Sequence, residues 1–221
     1  MKIRPNRWAA AVAVLTILSG CGKYDRLVPE ELLERKNGLL YEKNAAKPFT
    51  GIAVNLRPDG GKLAEFGMVN GKRHGAVVAY EKNGDIMFTG AYEDGKLSGE
   101  WVFYADRKIF MRQNYRAGKM IRRTEHYPGG ELYSEFTLDE PSLRLEGTRL
   151  NPEGEILSQF VVDLKNCTGK LLAAGGRSEE VALSVKFLDD RKCWKVSGAD
   201  GKSCLLIDAG TYEVSVNKTG K

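Results

Sequence analysis

The sequence predicts a mainly β protein built as an array of stacked β-hairpins, and three observations carry that expectation. The segment "NGKRHGAVVAY" from Asn70 is answered 24 residues later by "DGKLSGEWVFY" from Asp94, and a fixed period of this size is the mark of one small unit repeated. Within each period, short runs rich in Val, Tyr, Phe and Ile are separated by Asn-Gly or Asp-Gly, the pairs that tolerate the positive φ of a two-residue hairpin turn. Side chains alternate along these runs, so Val78 shares a face with Tyr80, and Val102 with Tyr104, while Val77, Ala79, Trp101 and Phe103 point the other way.

The elements follow in chain order. Lys2, Arg4 and Arg7 form a basic start, Trp8 to Leu18 an apolar run, and small residues lead to Cys21, which is the order of a secretory signal over residues 1–20. The run is too short to span a bilayer, which takes about 20 apolar residues. "LSGC" at 18–21 resembles the lipobox of bacterial lipoproteins, which implies cleavage before Cys21 and lipidation of its thiol. The alternative is an ordinary signal peptide followed by a buried cysteine. Position 22 is Gly rather than the Asp that favours inner-membrane retention in enteric-type lipoproteins, so the resemblance implies an outer-membrane, lipid-anchored protein facing the periplasm. Two or more acyl chains make a stable anchor. Removing the three basic residues of the signal from 34 leaves 31 against 29 acidic ones, a net charge of +2. No basic stripe with interleaved aromatics is present, so nucleic acid is not an expected partner.

Residues 21–48 read as a tether followed by a short helix at "VPEELLER" (28–35), with Pro29 at its start, Glu30 and Glu31 in its first turn and Gly38 beyond its end. Residues 49–165 hold the repeats. Leu56, Tyr80, Tyr104 and Tyr127 fall in one column at spacings of 24, 24 and 23, and Leu63, Ile86, Ile109 and Leu132 stand near the start of each second strand. "LRPDGGKLAEF" at 56–66 returns as "LNPEGEILSQF" at 150–160, which extends the array, with 138–146 as an irregular joint.

"GLLYEKNAAKPFTG" at 38–51 together with the "YxxNG" and "Y.DGK..GEW..Y" phrases resembles the MORN-repeat variant family of bacteria, some of whose members are labelled antitoxins. The match covers roughly residues 38–136. It implies an elongated ribbon of stacked MORN-like hairpins with a grooved face that binds partners. The fourth unit departs from the pattern, with Arg122 and Arg123 where a Gly is expected and "YPGG" in place of "YxxNG".

Residues 166–221 read as four short strands that form a small disulfide-clipped β-domain or, alternatively, a β-cap on the ribbon. With Cys21 lipidated, Cys167, Cys193 and Cys204 remain for an oxidising compartment. A bridge between Cys193 and Cys204, across the turn at "GADG", is the first choice; Cys167 with either partner stays open, because connectivity is not readable from sequence.

No constellation points to catalysis. His74 and His126 have no cysteine or carboxylate at metal-ligand spacing, the carboxylates sit at turn positions such as Asp59, Asp85, Asp94 and Asp106, and "LAAGGRSEE" at 172–180 lacks the strand, turn and helix of a phosphate loop. The expectation is a non-enzymatic binding protein without metal or cofactor. One apolar face of the ribbon needs cover from the helix, from the C-terminal domain or from a partner protein. Trp101 and Phe103 are the first candidates for partner contact, and the column of Tyr80, Tyr104 and Tyr127 the second. The partner expected is a periplasmic toxin, which would make the chain an immunity protein; the alternative is an envelope scaffold for other lipoproteins or peptidoglycan.

Replacement of Cys21 by Ser removes the only thiol the lipobox can modify. Metabolic labelling with a palmitate analogue is expected to mark wild type and leave Cys21→Ser unlabelled; equal labelling contradicts the lipobox reading.

Overall fold

The computed structural model describes residues 26–174, 180–198 and 203–218; the signal segment, Cys21 and the residues up to 25 lie outside them. The chain is mainly β and divides into two compact units, Met1–Ser98 and Gly99–Lys221.

The first unit is an antiparallel meander with a cover. Its strands are β1 (Leu27–Pro29), β2 (Leu33–Lys36), β3 (Leu39–Glu42), β4 (Gly51–Leu56), β5 (Lys62–Val69), β6 (Lys72–Tyr80) and β7 (Ile86–Glu93), and its described residues include no α-helix. The helix expected over 28–35 is replaced by β1, a single 3-10 turn at Glu30–Leu32, and β2. Pro29 is extended (φ −55°, ψ 135°), and Asn37-Gly38, with φ of 51° and 80°, makes a two-residue hairpin turn between β2 and β3 rather than a helix end. β1 pairs parallel with β4, while β4 to β7 pair antiparallel in order.

The β2–β3 hairpin supplies the core of this unit. Leu33, Leu40 and Phe49 pack on Ala53 and Met68 of the meander, with Val28 and Phe66 against the cluster. Two backbone bonds lock the hairpin and the segment that follows it to the β5–β6 turn: Leu40 N–H donates to Gly71 O (3.0 Å) and Gly71 N–H to Phe49 O (2.8 Å). Gly71 has φ +76°, and a Cβ there would lie 2.8 to 2.9 Å from Leu40 backbone atoms and Leu39 Cβ. Glycine alone suits that turn and that approach.

Two turn types connect the strands. Two-residue turns at Asn70-Gly71, Asp94-Gly95 and Ala117-Gly118 place both residues at positive φ, as the Asn-Gly and Asp-Gly signals predict. Longer turns at 57–61, 81–85, 127–131 and 151–155 share one hydrogen-bond pattern: the first amide donates to the fifth carbonyl and the fourth amide to the first carbonyl. A register shift precedes each, at Asn55/Leu56, Ala79/Tyr80, Glu125/His126 and Arg149/Leu150. These bulges recur with the repeat and bend the strand ends at Leu56, Tyr80, His126 and Leu150, so Tyr127, expected in that column, is instead the first residue of its turn. "YPGG" at 127–130 therefore forms the same turn as "EKNG" at 81–84, although the sequence departs there.

The second unit continues the hairpin pattern from β8 (Lys96–Ala105) through β9 (Lys108–Arg116), β10 (Lys119–His126), β11 (Leu132–Asp139), β12 (Arg144–Leu150), β13 (Ile156–Asp163), β14 (Thr168–Ala174), β15 (Val181–Leu188), β16 (Cys193–Ser197), β17 (Ser203–Asp208) and β18 (Val214–Lys218). The strands run in sequence order. The segment 138–146, expected as an irregular joint, belongs to the regular β11–β12 hairpin with its turn at 140–143, and β14 to β18 pair onward in the same meander. Within the second unit the sheet curls so that its last segment meets β10: Met120 N–H donates to Thr211 O (2.7 Å) and the Arg123 guanidinium to Val214 O (2.9 Å). The enclosed face holds Leu138, Leu145, Val162, Val185, Val196, Ile207 and Val214, all buried.

The bridge expected between Cys193 and Cys204 does not form. Cys193 is a free, buried thiol, and Cys167 a free, exposed one. Register sets Cys193 opposite Asp208 and Cys204 opposite Ser197, so the two cysteines stand at opposite ends of their ladder. Four rungs separate them, about 13 Å at strand rise, against the roughly 4.4 to 6.8 Å between Cα atoms that a disulfide requires.

Gly71→Val is expected to destabilise the chain more than Gly95→Val. Both residues lie at positive φ, where strain costs about 1–3 kcal/mol, but a Cβ at Gly95 meets nothing within 4 Å while one at Gly71 strikes the β2–β3 hairpin. Denaturant midpoints of the two variants measure the difference; equal midpoints contradict the docking of that hairpin.

Candidate interaction surface

The residues singled out from sequence fall into two environments. Trp101 is only 6% exposed and meets Tyr115 edge-on at 6.2 Å between ring centroids, so it belongs to the interior of the second unit. Phe103, beside it on the same strand face, is half-buried and touches Phe110 at 6.4 Å. Tyr80, Tyr104 and Tyr127 are each half-buried.

The tyrosine column tethers one hairpin to the next. Tyr80 Oη donates to Glu65 Oε2 at 2.7 Å, and Glu65, only 3% exposed, also receives Lys62 Nζ. Burial first, and then the Glu65 carboxylate, hold the Tyr80 phenol well above the usual tyrosine range, because both disfavour the phenolate. The Arg57 guanidinium reaches the Tyr80 carbonyl. In the second unit Tyr127 Oη donates to Leu150 O at 3.0 Å and its ring packs edge-on against Tyr133 at 5.0 Å. These hydroxyls and rings join neighbouring repeats.

The rolled face of the second unit contains a partly buried polar cluster that the sequence pattern did not single out. Tyr115 Oη lies 2.9 Å from Glu213 Oε1 and 3.0 Å from Gln113 Oε1. Arg123 pairs with Glu125, which accepts the Ser134 hydroxyl at 2.8 Å. With the turns at 81–85 and 127–131 superposed in register, Ile121 takes the position of Gly75 and Arg123 that of Val77, and Arg123 holds β18 through Val214 O. Two buried nitrogens of β10, Arg123 Nε and His126 Nδ1, have no hydrogen-bond partner. Among the described residues no group of three or more His, Cys, Asp or Glu is placed to hold a metal ion, and no helix is long and apolar enough to cross a membrane.

No known protein family and no curated protein matches this chain.

Exposed apolar side chains cluster beside the turns. Alternate turns of a meander share an edge, so in the second unit the turns at 106–107, 127–131 and 151–155 lie along one edge. Phe110 (40% exposed), Ile156 (40%), Leu157 (37%) and Val181 (37%) all stand near the starts of strands leaving it. Tyr133 and Arg149, whose guanidinium lies 4.8 Å from the Tyr133 ring centroid, fill the space between. In the first unit Leu56 and Leu63 flank the turn at 57–61 in the same way. Aromatic and aliphatic groups held above one-third exposure along one rim form a surface suited to a protein partner.

Trp101 and Phe110 separate interior from surface. Trp101→Ala is expected to lower stability by about 3–5 kcal/mol, as for other buried large aromatics, whereas Phe110→Ser should stay within about 0.5 kcal/mol. Urea unfolding of both variants measures this; equal losses contradict the assignment of Trp101 to the core.

Proposed function

We propose that this chain is a non-enzymatic binding protein, anchored by a lipidated Cys21 to the periplasmic side of the outer membrane, whose MORN-like hairpin array presents a partner-binding rim. The observation that carries the reading is the set of Phe110, Ile156, Leu157 and Val181 along one edge of the second unit, on strands held in register by the repeated turns. A toxin acting in the periplasm is the partner proposed, because a tethered binder intercepts it there and the resemblance to the MORN-repeat variant family includes antitoxins. The second reading is a scaffold for other envelope proteins, which the same rim and anchor would serve.

Capture from periplasmic extract with wild type and with Phe110→Ser/Leu157→Ser tests the rim. The pair is expected to weaken capture at least about thirtyfold, the loss of roughly 2 kcal/mol that follows truncation of interface anchors, with melting unchanged. A captured toxin that kills cells lacking this protein supports the immunity reading, and envelope-assembly proteins support the scaffold. Capture unchanged by the double substitution contradicts the rim as the binding surface.

A further inference from the structure

The two most exposed large apolar side chains among the described residues are Leu27 (53%) and Leu32 (49%), and both lie within the first seven described positions. Their exposure follows from how the neighbouring residues are used. Val28 and Leu33 turn inward onto the cluster of Leu40, Phe49, Ala53 and Met68, so alternation along β1 sends Leu27 outward. The 3-10 turn at Glu30–Leu32 is held by Lys43 N–H donating to Leu32 O (3.4 Å), which leaves the Leu32 side chain in solvent. Two leucines are thus held in water on a rigid edge when the inner face of the same segment is already filled.

The chain arrives at this edge from Cys21. Five residues lie between Cys21 and Leu27, and the six steps from one to the other reach at most roughly 22 Å. The polar region on each side of a bilayer is only about 5–8 Å thick, the difference between roughly 40–45 Å overall and a 30 Å hydrocarbon core. An acylated Cys21 therefore holds both leucines within reach of the boundary between headgroups and acyl chains. Charge in the segment is close to balanced: Arg26, Arg35, Lys36, Lys43 and Lys47 stand against Glu30, Glu31, Glu34 and Glu42, with Arg26 paired to Glu42 at 2.8 Å and Lys36 to Glu34 at 2.6 Å. Apolar contact, rather than attraction to anionic lipid, is what this edge offers a membrane.

We propose that the β1 edge of the first unit seats on the lipid bilayer, with Leu27 and Leu32 inserted among the headgroups, so that the protein is oriented by its fold as well as tethered by its lipid. The proposal rests on the lipid-anchor reading given above. It assigns the bilayer as the occupant of this patch and keeps the patch distinct from the partner-binding rim of the second unit.

The full chain, expressed with its signal, purified from membranes and reconstituted in phosphatidylethanolamine vesicles doped with a headgroup-proximal diazirine lipid, tests this. After photolysis, peptide mass spectrometry reads both the modification of Cys21 and the sites of lipid insertion. The expected result is an acylated Cys21 with adducts on Leu27 and Leu32, lost in Leu27→Ser/Leu32→Ser while acylation is retained. Acylated Cys21 with adducts confined to residues 21–25 overturns the seating alone. An unmodified Cys21 on protein that does not bind the vesicles overturns the anchor reading and the seating together.

Discussion

A single-layer meander has two faces and no second sheet, so each apolar face must be covered from elsewhere, and the fold of this chain is organised by how that cover is supplied. In the first unit the adjacent residues Val77 and Val78 are both almost fully buried, as are Ala53 and Val54, although successive strand residues face opposite ways. One of those faces is closed by Leu33 and Leu40 of the β2–β3 hairpin and by Phe49 of the segment that follows it, and the contact depends on Gly71 bringing two backbones within hydrogen-bond distance. A buried residue of Leu size gains about 1.5–3 kcal/mol over its exposed state, so three such side chains outweigh the ordering of a short hairpin only if they reach the sheet. The Gly71 approach lets them.

The second unit solves the same problem by curvature. Bulges before the turns at 127–131 and 151–155 increase strand twist, and the sheet returns on itself until Thr211, Glu213 and Val214 meet Met120, Tyr115 and Arg123. Phe136 and Phe160 lie across Gly147, whose missing side chain leaves room for the Phe160 ring. Closure also explains the polar residues inside: carbonyls and carboxylates near β18 need donors, and Tyr115 and Arg123 provide them. Apart from Leu56, Leu63 and Phe187, the large apolar side chains left outside among the described residues stand at the rim and at the β1 edge, which is why the functional reading rests on them.

Much of this was legible because hairpin signals are local. Asn70-Gly71 and Asp94-Gly95 need only their own positive φ to define a turn, and Leu56 and Tyr80 of the expected column fall on the strand ends that the bulges bend, while in the fourth unit His126 rather than Tyr127 takes that place. Cover is a long-range property and was not legible. Trp101 carries the same alternation whether a partner or Tyr115 buries it, and the distance between Cys193 and Cys204 depends on where the 16–17 hairpin turns rather than on their spacing. "VPEELLER" satisfies the start rules of a helix, but Asn37-Gly38, two residues after it, is a stronger hairpin signal than a helix stop, and Pro29 is compatible with an extended strand as well as with a first helical turn.

Native-state hydrogen exchange on Leu40→Ala tests the central claim most directly, that the β2–β3 hairpin covers and stabilises the meander of the first unit. Removing a buried leucine costs about 2–5 kcal/mol, so amides of β4, β5 and β6 around Ala53, Phe66 and Val77 are expected to exchange at least about tenfold faster, since each 1.4 kcal/mol is a factor of ten. Exchange in those strands at the wild-type rate would mean that the sheet does not depend on the hairpin, and would contradict the account.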